Sequence, residues 1–277
     1  MIITQGSDKA IGIFDSGVGG LTVLKAIREL LPNETIVYFG DQLHVPYGLR
    51  PLEEVQAFSI KITRLLLDQG AKIIVVACNT ASAAALVLLR KQFPGVHFVG
   101  MEPAIKPAAE HTKTGLVGVL ATPATFQGAL YASVVERFAG TVTLIQNTCP
   151  GLVQEIESGN LNGANTRSIL ESVLNPMLEK GIDTIVLGCT HFPLLIPLIQ
   201  EIAGIGVRVI DPAPSVARQV CRLLDSSDLR SKHTGVGEIR FITSGVLGEF
   251  ERLLPKLIDE GGKTQRARWS NGEVYIE

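Results

Sequence analysis

Two stretches of the chain decide its fold: Lys72-Ile-Ile-Val-Val-Ala-Cys78-Asn79-Thr80 and Asp183-Thr-Ile-Val-Leu-Gly-Cys189-Thr190-His191. In each, an apolar run of strand length ends at a cysteine that is followed by polar residues. Such continuous apolar runs are typical of strands buried on both faces of a parallel sheet. Because the carboxyl ends of parallel strands form the ligand crevice, we expect the two thiols to face one small ligand from opposite sides.

The same pattern recurs along the chain, where short runs rich in Val, Ile and Leu alternate with helical patterns. Strands are predicted at Ile11–Phe14, Thr35–Phe39, Ile73–Ala77, His97–Val99, Leu116–Leu120, Val142–Ile145, Thr184–Leu187 and Val207–Ile210. This alternation indicates an α/β protein with mostly parallel sheets flanked by helices.

The strand and turn units fall into two similar blocks, Gly12 to Gly100 and Gly118 to Gly188. They predict two pseudo-symmetric domains, residues 1–100 plus 211–277 and residues 101–210, with the active site at their interface. A helix through Leu224, a strand at Arg240–Thr243 and a helix from Gly248 to about Glu260 are expected to complete the first domain. The polar, Gly-rich tail from Gly261 is expected to be loosely held.

Composition narrows the range of functions. The 277 residues are 46% hydrophobic and 19% charged, with a formal net charge of -2 and no Lys/Arg cluster. This balance argues against nucleic acid or an anionic membrane as the main partner and favours a small polar ligand.

The segment Met1–Ala10 does not resemble a secretory signal, so a cytoplasmic location is expected. The uncharged run Ile73–Leu89 carries Asn79, Thr80 and Ser82, which makes a membrane span improbable.

The four cysteines lie far apart and contain no C-x-x-C pair, which argues against a disulfide framework. Cys149 and Cys221 are predicted to be small buried hydrophobes. Cys78 and Cys189 each precede a predicted helix, whose N-terminus favours the reactive thiolate. His191 ordinarily titrates near neutrality and is therefore suited to hold or relay a proton.

Three interpretations of the paired thiols remain open. Cys78, Cys189, His191 and Asp15 could hold zinc, although most zinc ligands come in close sequence pairs. A cysteine nucleophile with His191 as its base would leave Cys78 without a role. Two opposed thiols acting as acid and base give every one of these residues a role.

Two loops add polar groups to the same crevice. The segment Phe14–Thr22 is Gly-rich but lacks both the G-x-G-x-x-G order and the Lys-Ser/Thr of a phosphate loop. Its glycines and free N–H groups suit a carboxylate, and Asp15 is either a functional group or a helix cap. The turn Pro46-Tyr47-Gly48 is predicted to present backbone groups and a phenol.

Together, these motifs resemble the bacterial glutamate racemase family. The resemblance rests, in the family's order and spacing, on Asp15–Val23, Val45–Gly48, Ala77–Ala83 and Gly188–Leu194. It implies a two-domain α/β enzyme, with dimers usual, that interconverts L- and D-glutamate without pyridoxal phosphate or metal. The D-glutamate would supply peptidoglycan synthesis.

The resemblance also implies roles for individual residues. Cys78 would exchange protons with D-glutamate and Cys189 with L-glutamate, Asp15 and His191 would assist them, and Glu157 would lie near the second thiol. The expected substrate contacts are Asp15, Ser16, Tyr47, Gly48, Asn79, Thr80, Thr122, Thr190 and His191. Aspartate is the alternative substrate, although Thr190-His191 after Cys189 favours glutamate. A zinc hydrolase and a catalytically inactive amino-acid-binding protein are the rivals from other classes.

Overall fold

The structure is a computed structural model that describes residues 6–277. Met1–Gln5, the start of the segment on which the expected absence of a secretory signal rests, lie outside the described residues. None of the helices within residues 6–277 has both the length and the hydropathy needed to cross a membrane.

Strands and helices alternate through most of the chain. The strands are β1 (Ala10–Asp15), β2 (Ile36–Gly40), β3 (Ala71–Val76), β4 (His97–Gly100), β5 (Leu116–Ala121), β6 (Thr143–Asn147), β7 (Thr184–Gly188), β8 (Arg208–Ile210), β9 (Ile239–Thr243), β10 (Lys263–Ser270) and β11 (Glu273–Ile276). The α-helices are α1 (Leu21–Leu30), α2 (Leu52–Asp68), α3 (Asn79–Gln92), α4 (Ile105–His111), α5 (Pro123–Gln127), α6 (Ala129–Phe138), α7 (Leu152–Glu157), α8 (Ala164–Glu179), α9 (Ile196–Ala203), α10 (Ala213–Ser226) and α11 (Leu247–Leu257). Short 3-10 helices span Tyr47–Leu49 and Phe192–Leu195.

The strands form two sheets of related topology. The larger sheet has the order β11-β10-β9-β2-β1-β3-β4, and the smaller sheet has the order β6-β5-β7-β8. All neighbouring strands are parallel except β10 and β11. The segment β2-β1-β3-β4 therefore repeats as β6-β5-β7-β8, which agrees with the predicted α/β class and pseudo-symmetric halves.

This topology brings the polar strand ends together. In each half the chain order reverses between the first and third strands, and the crevice at such a switch point is where open parallel sheets bind ligands. In the larger sheet this position lies between Asp15, which ends β1, and Cys78, which follows β3. In the smaller sheet the equivalent position lies between Thr122, which follows β5, and Cys189, which follows β7.

One hydrophobic cluster crosses from one sheet to the other. It includes Ile11 and Val75 of the larger sheet and Ile185 and Leu187 of the smaller sheet, all buried. A second cluster packs α2 and α3 against the opposite face of the larger sheet. Because the central strands are covered on both faces, they are apolar throughout, and their polar groups collect at the carboxyl ends.

The prediction of a loosely held C-terminal tail is wrong. The chain after Gly261 adds β10 beside β9 and then turns back as β11. Ala267 and Val274 of this hairpin are buried. Gly262 does not mark flexibility, because a Cβ at this residue would meet the carbonyl oxygen of Ile239 at 2.3 Å. The glycine permits a close approach between the chain and β9.

The chain leaves the larger sheet after Gly100 and returns to it with β9. Between these points, β5 to β8 build the smaller sheet, and α10 packs against α1 on the way back. We retain residues 1–100 plus 211–277 and residues 101–210 as the proposed domains.

Candidate active site

Both predicted thiols line one cleft between the two sheets. Its walls are formed by Ser16, Pro46, Tyr47, Gly48, Cys78, Asn79, Thr80, Thr122, Val153, Cys189, Thr190 and His191. Cys78 and Cys189 are 4% and 6% exposed. The open volume is about 10 Å³, room for roughly one water molecule. The cleft is therefore closed, and an amino acid can enter only if its walls separate.

Cys78 occupies the N-terminus of α3. Its sulfur accepts a hydrogen bond from the Ala81 N–H at 3.4 Å, and its thiol points to the Ser16 hydroxyl at 3.9 Å. We expected the helix N-terminus to favour the thiolate. However, burial first and the nearby Asp15 carboxylate second raise the pKa of the Cys78 thiol well above its ordinary value. The Ala81 N–H opposes this effect but is outweighed, so Cys78 rests as the protonated thiol.

Asp15 is a buried carboxylic acid beside this thiol. Its Oδ2 accepts a hydrogen bond from the Gly20 N–H at 2.6 Å, immediately before α1. The Thr190 hydroxyl lies 3.4 Å from each of its oxygens. Burial raises the pKa of Asp15, while His191 and the Gly20 N–H lower it to a smaller extent. Asp15 is therefore not the helix cap that we considered from the sequence, because the N-cap of α1 is Gly20 and no side chain caps this helix.

Cys189 has a different partner. Its sulfur lies 3.8 Å from Nδ1 of His191, and Nε2 of His191 lies 2.6 Å from Oε1 of Glu157. Burial alone would lower the pKa of His191, but its hydrogen bonds to Cys189 and Glu157 together raise that pKa well above its ordinary value. The contacts with the Cys189 sulfur and the Glu157 carboxylate thus favour the protonated form of His191.

Glu157 reaches the site from the last turn of α7. Its Oε1 also accepts a hydrogen bond from the Val18 N–H at 2.8 Å. The neighbouring Glu155, which the sequence could not separate from it, instead bonds Asn160 and Asn165 at the surface. The structure thus brings Glu157, and not Glu155, to His191.

Another wall of the cleft is formed by an asparagine without hydrogen-bond partners among the described residues and by a group of threonine hydroxyls. Both side-chain polar atoms of Asn79 are buried and lack a hydrogen-bond partner within the described part of the chain. Since buried amide groups are normally paired, Asn79 is suited to bind a polar ligand. The hydroxyls of Thr80, Thr122 and Thr125 form a triangle with sides of 2.8, 2.9 and 3.3 Å. A Cβ at Gly48 would lie 2.4 Å from Cβ of Thr122, so only glycine allows the Tyr47–Leu49 turn to approach this wall.

The phenol of Tyr47, which we expected to face the ligand, is hydrogen-bonded to another side chain. Its hydroxyl donates to Oδ2 of the buried Asp41 at 2.6 Å. The same carboxylate accepts hydrogen bonds from Ser244 and from the Trp269 indole of the C-terminal hairpin, at 2.7 and 2.8 Å. Its other neighbour is the His44 ring, with Nδ1 at 2.9 Å. Asp41 could not be recognised from the sequence, because two of its partners, Ser244 and Trp269, lie 203 and 228 residues away along the chain.

All four cysteines are free. Cys149 is buried, as predicted, and burial together with the nearby Cys189 raises the pKa of its thiol. The prediction of burial is wrong for Cys221, which is only half-buried. Across residues 6–277 no group of three or more His, Cys, Asp and Glu side chains is placed so that it could hold a metal ion.

The chain matches the Asp/Glu/hydantoin racemase family over residues 11–220. The chain belongs to this family. It is 47% identical to a glutamate racemase from Roseiflexus sp. (strain RS-1) over 252 residues, which cover 91% of this chain and 93% of that protein.

Solved structures of family members share the whole fold. A glutamate racemase from Bacillus anthracis has a TM-score of 0.84 at 31% identity, covering 96% of this chain and 99% of that chain. The Escherichia coli glutamate racemase in complex with L-glutamate and the activator UDP-MurNAc-Ala has a TM-score of 0.83 at 31% identity, covering 97% of this chain and 99% of that chain. The racemase fold of this chain therefore extends beyond the matched residues, through the C-terminal strands.

Proposed function

We propose that this racemase interconverts L-glutamate and D-glutamate by a two-thiol acid and base mechanism that uses no organic cofactor. The observation that supports this proposal most strongly is the pairing of Cys78 and Cys189 in one cleft, each at the equivalent strand end of its half. Each thiol has its own proton-handling partner, Asp15 for Cys78 and the His191–Glu157 pair for Cys189.

The chemical difficulty is that the Cα–H of an amino acid is a very weak acid. Hydrogen-bond donors aimed at the substrate carboxylate must stabilise the charge that develops when this proton leaves. Among the described residues that line the cleft none is Lys or Arg, so we assign this task to backbone N–H groups and to Ser16, Asn79, Thr80 and Thr190. Preorganised donors of this type contribute about 3 kcal/mol each in a site that excludes water.

The two thiols have opposite tasks in each direction. Cys189 would remove the Cα proton of L-glutamate while Cys78 delivers a proton to the other face, and the roles reverse for D-glutamate. Burial and the charge of Asp15 raise the pKa of Cys78, which suits this thiol to hold the proton that it delivers, and His191 lies beside the Cys189 sulfur.

The choice of glutamate is supported by the relatives named glutamate racemase, one of them 47% identical in sequence, and by a 31% identical glutamate racemase that was solved with L-glutamate bound. Aspartate remains the alternative substrate. We assign substrate contacts to Asp15, Ser16, Gly48, Asn79, Thr80, Thr122, Thr190 and His191, and to Tyr47 through its backbone, because its phenol is bonded to Asp41. In the proposed physiological role, a cytoplasmic homodimer supplies D-glutamate for peptidoglycan.

The test is to incubate the purified, chelator-treated protein with L-glutamate in D2O without pyridoxal phosphate. Optical rotation and deuterium at Cα are followed together. The proposal predicts loss of rotation accompanied by α-deuteration. If the folded protein leaves glutamate unchanged but racemises aspartate, aspartate is the substrate. If activity requires added metal, the proposed metal-free mechanism is wrong.

A further inference from the structure

Gln42 lies just after β2, outside the cleft lining, and its side-chain amide contacts the site from behind. Its Nε2 donates to Oε2 of Glu157 at 3.0 Å, and its Oε1 accepts from the Thr243 hydroxyl at 2.7 Å. These three residues come from the loop after β2, from α7 and from β9, which meet only in the folded protein.

The direction of these hydrogen bonds is fixed by chemistry. A carboxylate only accepts hydrogen bonds, so the amide of Gln42 must present its NH2 group to Glu157 and its carbonyl oxygen to Thr243. The Gly245 N–H donates to the Thr243 hydroxyl at 3.0 Å, which leaves the hydroxyl proton for Gln42. A single chain of donors therefore runs from Gly245 through Thr243 and Gln42 to Glu157.

Gln42 determines how the Glu157 carboxylate faces His191. Oε1 of Glu157 accepts from the Val18 N–H and pairs with His191 at 2.6 Å. Within residues 6–277, Gln42 provides the hydrogen bond shown for the other oxygen, Oε2. One oxygen alone would leave the carboxylate free to rotate about its terminal bond, whereas contacts at both oxygens fix its plane.

We propose that Gln42 is a positioning residue for the Cys189 proton transfer, holding Glu157 in the orientation that supports His191. The inference rests on the proposed racemase function. Within residues 6–277 the side-chain hydrogen bonds of Gln42 run to Glu157 and Thr243 and not to Cys78 or Asp15, so the transition state in which Cys189 exchanges a proton with Cα is the one that depends on it.

A rate alone cannot locate this effect. L- and D-glutamate have equal free energies in water, so every variant must have the same kcat/KM in both directions. Isotope effects resolve the two transfers, because the α-proton of L-glutamate is removed by Cys189 and that of D-glutamate by Cys78. A change that slows only the Cys189 step raises the isotope effect of α-deuterated L-glutamate relative to that of α-deuterated D-glutamate.

The experiment compares Gln42→Leu with Gln56→Leu as the matched control. Gln56 is also half-buried and also donates one amide hydrogen bond, to the Ala84 carbonyl, away from the site. Loss of a hydrogen bond to a charged group is expected to lower kcat/KM about tenfold in Gln42→Leu. The ratio of the L to the D isotope effect on kcat/KM rises in Gln42→Leu and is unchanged in Gln56→Leu.

A second pair of variants tests the chain of donors. Thr243→Val removes the hydroxyl that orients Gln42 and shifts the isotope-effect ratio in the same direction, while Thr243→Ser retains the hydroxyl and restores the wild-type ratio. A general loss of folding or of active protein would lower kcat/KM without moving the ratio.

A readout without turnover separates this inference from the proposed function. The charged or titratable groups that face His191 are Cys189 from its own loop, Glu157 from α7 and Asp15 from β1. In 15N-histidine NMR titrations, Gln42→Leu shifts the pKa of His191, because the Glu157 carboxylate that faces it changes its orientation, and Gln56→Leu leaves that pKa unchanged. Wild-type protein without glutamate racemisation refutes the proposed function. An unchanged His191 titration, or an unchanged isotope-effect ratio in an active enzyme, overturns the role of Gln42.

Discussion

At Gly17 the addition of a single methyl group would displace Glu157, the proposed partner of His191. A Cβ added to this residue would lie 1.8 Å from Oε1 and 2.6 Å from Cδ of Glu157. Carbon and oxygen atoms that are not bonded need about 3.0 to 3.4 Å, so the carboxylate of Glu157 must move by more than 1 Å in Gly17→Ala. Its hydrogen bond to His191, now 2.6 Å, cannot survive this displacement.

The expected loss follows from that contact. A hydrogen bond between charged partners contributes about 1.5 to 3 kcal/mol. If this contribution supports the Cys189 transition state, kcat/KM for glutamate falls by about tenfold to 150-fold. Glu157 is partly exposed and can turn outward, so the fold of Gly17→Ala is retained.

The assay measures the initial rate of racemisation by circular dichroism in both directions. Gly140→Ala is the matched control, because a Cβ at Gly140 would meet no atom within 4 Å. Thermal unfolding of both variants confirms that the proteins are folded. A Gly17→Ala enzyme with the kcat/KM of Gly140→Ala would refute the role assigned to the His191–Glu157 contact.

Three further predictions concern buried polar groups. Tyr47→Phe removes a hydroxyl that donates to Asp41, so the free energy of unfolding in urea falls by about 1 kcal/mol, while racemisation is largely retained; a near-complete loss of turnover would show that the phenol acts on substrate. Lys72→Met leaves the Glu34 carboxylate buried without its cation and lowers the free energy of unfolding by about 3 to 5 kcal/mol, and a loss below 1 kcal/mol would contradict this assignment. The pKa of His191 is higher in the folded protein than in the unfolded chain. Its contribution to stability is therefore complete below the unfolded pKa and disappears as pH rises through the folded pKa. Urea unfolding should show this loss of stability at alkaline pH in wild type but not in His191→Gln.

All eight predicted strands from Ile11 to Ile210 are present. The central strands are buried on both faces and could be predicted because an apolar run bounded by turn residues indicates burial. The edge strands β6 and β8 contain no buried residue, yet they also carry a short apolar run. The C-terminal hairpin was missed because β10 has no such run. The sequence of β10, Lys-Thr-Gln-Arg-Ala-Arg-Trp-Ser, buries little apart from Ala267, so its pairing with β9 left no apolar signal.

In the candidate site, too, some residues could be predicted from the sequence and others could not. Cys78, Cys189 and His191 could be predicted because each stands at or just after the end of a recognisable strand. Gln42 could not, since it lies 115 residues from Glu157 and 201 residues from Thr243 along the chain and belongs to no motif. The raised pKa of Cys78 was also beyond the sequence, because it depends on burial and on the distance to Asp15 in the folded state.

The measurement that tests the central claim most directly is inversion of glutamate by single-cysteine variants. Cys78→Ser and Cys189→Ser are assayed from L-glutamate and from D-glutamate in D2O, with circular dichroism to show that each variant is folded. The two-thiol account predicts that both folded variants nearly lose inversion in both directions. Near wild-type inversion by either folded variant would contradict it.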